Sequence, residues 1–274
     1  MREIVVYTGR TTPKGSGVEY AARLCAQFEA ALSGLYIHPS PVELMPPFGV
    51  PALLTEMIEA ARQTEAAAIA AGGTFAADMR ALGVAHASWQ VAEGHAPSVL
   101  AHVADWADLL VLERGAGTAW SSPHELGVLV LHAGMPVILV PPRVSDARLE
   151  RIAIGWNASP EAMRAVHAAL PLLRRAAQVI LIADTRRTAT LAPGWKPGFD
   201  ILAYLHRHGI TPEHAFIDAG EDEAGSALLE AAGSARCDLL VMGAYGRSRL
   251  SEWAFGGATR HVLHEADMPV LLHR

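Results

Sequence analysis

Near the carboxyl end the chain reads Gly243-Ala244-Tyr245-Gly246-Arg247 and, after eight intervening residues, Gly256-Gly257-Ala258-Thr259. It follows an apolar run, Leu239-Leu240-Val241-Met242, and precedes a stretch of helical character. Glycine lets a backbone approach a partner closely because no Cβ intrudes. A helix that opens on a glycine pair presents unpaired N–H groups at the positive end of its dipole. In that order these features predict a phosphate cradle built from main-chain amides. Arg247, Arg249 and Arg260 would add positive charge, and Thr259 a hydroxyl.

The elements that must position this loop follow from composition and pattern. At 274 residues and 51% apolar content the chain can build one large or two ordinary cores, and 18% charged residues argue against disorder. A net charge of -6 leaves no basic surplus for wholesale nucleic-acid binding. The two cysteines, Cys25 and Cys237, are too few for a disulfide framework or a zinc cage. Met1 runs almost directly into Ile4-Val5-Val6, and no uncharged apolar stretch reaches the length of about 18 that suggests a membrane span. A cytoplasmic protein without membrane or nucleic-acid partners is the expectation.

An internal duplication sets the architecture. Asp108-Leu109-Leu110-Val111-Leu112 recurs as Asp238-Leu239-Leu240-Val241-Met242, and Val130-Leu131-His132 with Met135-Pro136-Val137 recurs as Val262-Leu263-His264 with Met268-Pro269-Val270. The spacing is that of a domain. In the second copy strands are expected at 151–156, 179–183, 214–218, 239–242 and 270–273, with helices near 160–175, 199–208, 223–235 and 257–265. In the first copy they are expected at 4–8, 34–38, 86–91, 109–113 and 137–140, with a long second helix near 53–82 broken at Gly72-Gly73. Continuous apolar strands alternating with helices mean parallel sheets buried on both faces. The expected fold class is therefore α/β: two tandem doubly wound, Rossmann-like domains, 1–142 and 149–274, each with a five-stranded parallel sheet. Their last strands would be open edges, which predicts packing of the halves around a pseudo-two-fold axis through them.

The glycine loop, with Gly155-Trp156-Asn157-Ala158-Ser159 after the first strand of the second copy and the Met268-Pro269-Val270 ending, resembles the universal stress proteins over nearly the whole chain. The resemblance implies a tandem-domain member acting in stress response and binding an adenine nucleotide, usually ATP. It implies that Gly155, Trp156 and Asn157 border adenine and ribose, and that Asp184 or its neighbour Ala183 faces the base. Met242, Gly243, Gly246, Arg247, Gly256, Gly257, Ala258 and Thr259 would line ribose and phosphates. Mg²⁺ could accompany a triphosphate through its phosphate oxygens, with no dedicated carboxylate site. Two positions depart from the family pattern: Asn157 stands for an aspartate, and Gly257 for a hydroxyl residue.

The first copy departs further. Glu113 stands where Gly243 does and Ala116 where Gly246 does, so a carboxylate and a Cβ meet the phosphate position, and no triphosphate is expected there. Prolines at 39, 41, 46, 47 and 51 predict a stiff loop over its crevice. The chain lacks Gly-x-Ser-x-Gly, a P-loop, a first-strand Gly-x-Gly-x-x-Gly and a His-Glu-x-x-His pattern. No general base stands beside the loop, so the chain is not expected to be a dedicated enzyme, and ATP hydrolysis would be slow at most. A homodimer is expected. The competing reading is a nucleotide-independent protein-interaction module, and a third is a slow phosphohydrolase.

Overall fold

The computed structural model describes residues 1–41, 51–115, 120, 122–184, 200–220, 223–245 and 257–274. Among them the chain divides into two compact units, 1–135 with 140–147, and 136–139 with 148–274.

The first unit runs β1 (Glu3–Tyr7), α1 (Ser16–Phe28), β2 (Ala31–His38), α2 (Pro51–Ala71), a 3₁₀ turn (Gly72–Thr74), α3 (Phe75–Ala81), β3 (Ala87–Glu93), α4 (Ala96–Val103), β4 (Leu109–Glu113) and α5 (Pro123–His132). Its strands are parallel in the order β3-β2-β1-β4. The expected break in the long helix falls at Gly72-Gly73, where the backbone tightens into the 3₁₀ turn. Residues of β5 (Val137–Val140) follow.

The second unit runs β6 (Arg151–Trp156), α6 (Pro160–Leu173), β7 (Gln178–Asp184), α7 (Ile201–Arg207), β8 (Glu213–Ile217), α8 (Ala224–Ser234), β9 (Leu239–Gly243), α9 (Gly257–Glu265) and β10 (Val270–His273). Five of its strands are parallel in the order β10-β9-β6-β7-β8. Residues 136–139 belong to this unit, and Val137, Ile138 and Leu139 pair antiparallel with β10. Residues 137–139 of the first copy's fifth strand thus group with the second unit, and Val140 with the first.

Local chemistry explains the framework. Central strands are buried along both faces: β4 and β9 each have four consecutive buried residues, whereas the edge strands β3 and β8 are half-exposed. Ser159 caps α6, its hydroxyl accepting from Ala162 N–H at 3.1 Å, with Pro160 in the first turn. Ser122 and Glu125 form a reciprocal capping box on α5. Each unit uses an aspartate to start its first strand. Asp108 accepts from the N–H groups of Arg2 and Glu3, and Asp238 from those of Glu150 and Arg151 at 3.1 and 2.8 Å.

The Asp108 pair of bonds carries a pH dependence. Burial pushes its carboxyl up, but the Arg2 and Glu3 amides more than offset this and hold it below its ordinary value. Such a group stabilises fully above its unfolded pKa, about 3.9, and loses that contribution as pH falls through the lower folded value. Asp108→Asn is expected to lower stability at pH 7 by about 1 kcal/mol, less than a buried charge-assisted bond because solvent screens the exposed carboxylate. The gap to wild type should close below about pH 4. Urea melts across that range check it; a gap that persists at pH 2 contradicts it.

Candidate functional site

The carboxyl ends of β6, β7, β8 and β9 open on a crevice. Gly155, Trp156 and Asn157 reach it from β6, Ile182 and Asp184 from β7, and Ile217 from β8. Met242 and Gly243 reach it from β9, Ala224 and Leu228 from α8, and Ala258 from α9. This is the place where open parallel sheets bind ligands. Of the thirteen residues expected from sequence, Gly155, Trp156, Asn157, Asp184, Met242, Gly243 and Ala258 are thereby brought together. Gly246, Arg247 and Gly256 lie outside the described residues. So does Ala116 of the first copy.

Three expected residues stand apart. Of the pair Ala183 and Asp184, Asp184 lines the crevice, because successive strand residues face opposite ways. Thr259 is buried at 5% exposure, and its hydroxyl accepts from Tyr245 N–H at 3.4 Å. It ties the exit of β9 to the first turn of α9, so the hydroxyl faces the protein's own backbone. Gly257 is exposed at the start of α9 and is not among the lining residues.

Asn157 is partly committed as well: its side-chain oxygen accepts from Ser159 N–H at 3.1 Å. That turn places Ala158 in the left-handed region, φ 56°, and delivers Ser159 to cap α6. Its amide NH₂ remains a donor at the crevice. Tyr245, also left-handed at φ 59°, is not in the lining, and burial pushes its phenol above the ordinary range.

The glycines at the strand ends are set by packing. A Cβ on Gly243 would lie 2.4 Å from the Ala162 nitrogen and 2.6 Å from the Glu161 carbonyl carbon, so the first turn of α6 sits directly against the end of β9. The close approach expected of a ligand is thus made first by the protein itself. A Cβ on Gly155 would lie 2.9 Å from Leu228 Cδ2, so the leucine reaches over β6 to form a wall.

Sequence reasoning missed Ile182, Ile217, Ala224 and Leu228, the apolar walls. Their signal was the apolar character of the strand ends and of α8, which does not say which face meets a crevice. The result is an apolar slot edged by one carboxylate, Asp184, and one carboxamide, Asn157. A flat ring with a polar edge fits such a lining.

Other chemistry finds little support. Burial pushes the Cys25 thiol up to about 12 and the Cys237 thiol up to about 11, the opposite of an activated cysteine. Among the described residues no three His, Cys, Asp or Glu side chains are grouped to hold a metal ion, and no helix is long and apolar enough to cross a membrane.

Two wound α/β units, with a crevice at the strand ends of the second, define a protein of the doubly wound α/β class. Residues 148–274 match the model of the universal stress protein family. A universal stress protein from Archaeoglobus fulgidus aligns over 99% of this chain and 96% of its own, with a TM-score of 0.67 and 12% identity. A functionally unknown protein from Pseudomonas aeruginosa aligns over 100% and 92%, with a TM-score of 0.59 and 14% identity. At these identities the likeness shows the fold, and its full-length coverage is consistent with a tandem arrangement. A universal stress protein in complex with cAMP aligns over 46% of this chain and 97% of its own, at 20% identity and a TM-score of 0.32. No curated protein matches the sequence.

Proposed function

We propose that the carboxyl-terminal domain, 149–274, binds an adenine nucleotide, ATP by preference, in a cytoplasmic stress-response protein whose amino-terminal domain, 1–142, is degenerate. The observation that supports this most is the crevice itself. It draws Gly155, Trp156, Asn157, Asp184, Met242, Gly243 and Ala258 from four separate segments to one strand-end opening. Ile182, Ile217 and Leu228 would enclose the base, while Asp184 and the Asn157 amide would meet its polar edge. Phosphates would extend toward α9, whose first turn begins at Gly257. Mg²⁺ would enter, if at all, on the phosphates.

Thermal melts of the full chain with ATP, ADP and AMP test the reading. A ligand at about 100 times its dissociation constant should add about 2.7 kcal/mol of stability. The absence of a shift with all three nucleotides would sink it. Self-association as a homodimer belongs to the same proposal and is read by sedimentation.

A second reading, a nucleotide-independent interaction module, draws support from two polar groups. The Asn157 side-chain oxygen and the Thr259 hydroxyl both accept from the protein's own amides. It gains if the melts do not move.

A further inference from the structure

Registers β1–β4 and β6–β9 are equivalent: Ile4 pairs with Leu109 as Ile152 pairs with Leu239. Tyr7 therefore takes the place of Gly155, and Glu113 the place of Gly243. Where Gly155 leaves the second unit's crevice open, Tyr7 is 2% exposed and packs on Trp120, itself 3% exposed, with ring centroids 4.5 Å apart. The Trp120 indole N–H donates to the Glu113 carbonyl oxygen at 2.9 Å.

The Glu113 side chain turns to the first turn of α1. Its Oε2 accepts from Gly17 N–H at 2.9 Å, and Arg10 reaches its Oε1 at 3.4 Å. The fit is tight: a Cβ on Gly15 would lie 2.4 Å from Oε2, and one on Gly17 2.9 Å from the Glu113 Cβ.

We propose that the amino-terminal unit is self-occupied: the Glu113 carboxylate is a built-in anion at the first turn of α1, and the Tyr7 and Trp120 rings fill the space a base would take. The unit thus carries its own ligand and leaves no place for a free one. The corollary, one nucleotide per chain, rests on the reading of the second unit; the filled crevice does not.

The decisive experiment uses the full chain without nucleotide. In Glu113→Ala, amide exchange at Gly17 should quicken at least tenfold, the rate equivalent of losing a charge-assisted hydrogen bond. Acetate or formate, small enough for the vacated place, should slow it again relative to chloride, with no such effect on wild type. Unchanged Gly17 exchange in the variant, or equal acetate effects on both proteins, overturns the proposal. Should Glu113→Ala fail to fold, Glu113→Gln keeps the shape and an acceptor oxygen, and Gly17 exchange should still rise. No rise there overturns it equally. Titration of wild type with radiolabelled ATP adds a separate reading. Saturation at one equivalent supports the corollary, and two equivalents overturn the filled crevice. Zero equivalents sink the nucleotide reading of the second unit, and the exchange experiment still decides the first.

Discussion

Gly243→Val is expected to destabilise the carboxyl-terminal unit by about 3 kcal/mol, the upper end of the usual range for forced overpacking. The atoms a Cβ would strike belong to backbone, Ala162 N at 2.4 Å and Glu161 C at 2.6 Å, so no rotamer change relieves the clash. The helix would have to retreat. Ala162, Ala165, Val166 and Ala169 are all buried at 1% exposure or less, so retreat would open the core beneath α6. Urea melts give the magnitude, and faster amide exchange along α6 gives the location. Gly233→Ala is the matched control, since its Cβ would meet nothing within 4 Å inside helix α8. It should be neutral or stabilising by up to about 1 kcal/mol. A Gly243→Val protein that melts like wild type would refute the close approach of α6 to β9.

Phe75→Ala should cost the amino-terminal unit about 3–5 kcal/mol, the usual price of a fully buried aromatic ring. Phe75 is 1% exposed at the first turn of α3. Its ring lies over Gly34 of β2, where a Cβ would come within 2.7 Å of Cζ, and packs against Trp89 at 5.6 Å. Trp89 is held in turn by its indole N–H, which donates to the Ala68 carbonyl at 2.8 Å at the end of α2. Loss of the Phe75 ring therefore unseats α3 and the end of α2 together. Exchange should accelerate in β2, β3 and α3 while amides of β6 and β9 stay protected. Uniform acceleration across both units would contradict this.

Much of this organisation is legible in the sequence because continuous apolar runs mark strands buried on both faces. Gly243 is legible because it ends such a run, where ligands of parallel sheets gather, while Gly155 and Asn157 follow from the resemblance to the universal stress proteins. What stayed hidden depends on direction and phase. The run at 137–140 announces a strand with an open edge, but not that residues 136–139 group with the second unit. The hydroxyl of Thr259 reads as a ligand donor until the phase of α9 turns it inward to Tyr245. Leu228 reads as one more core leucine, and only the missing Cβ of Gly155 shows why it reaches the crevice. Gly15 and Gly17 read as a failed dinucleotide pattern, whereas their partner is a side chain 96 residues or more away at Glu113.

The contact between strand end and helix start uses glycine on opposite sides in the two halves: on the helix at Gly15 and Gly17, on the strand at Gly243. A single replacement cannot therefore turn one half into the other. Glutamate at 243 would meet Ala162 and Glu161 with no relief on the helix side, and glycine at 113 would leave a void facing two further glycines. Each route between the twins passes through an intermediate worse than either end, so once the halves diverged here the separation became hard to reverse.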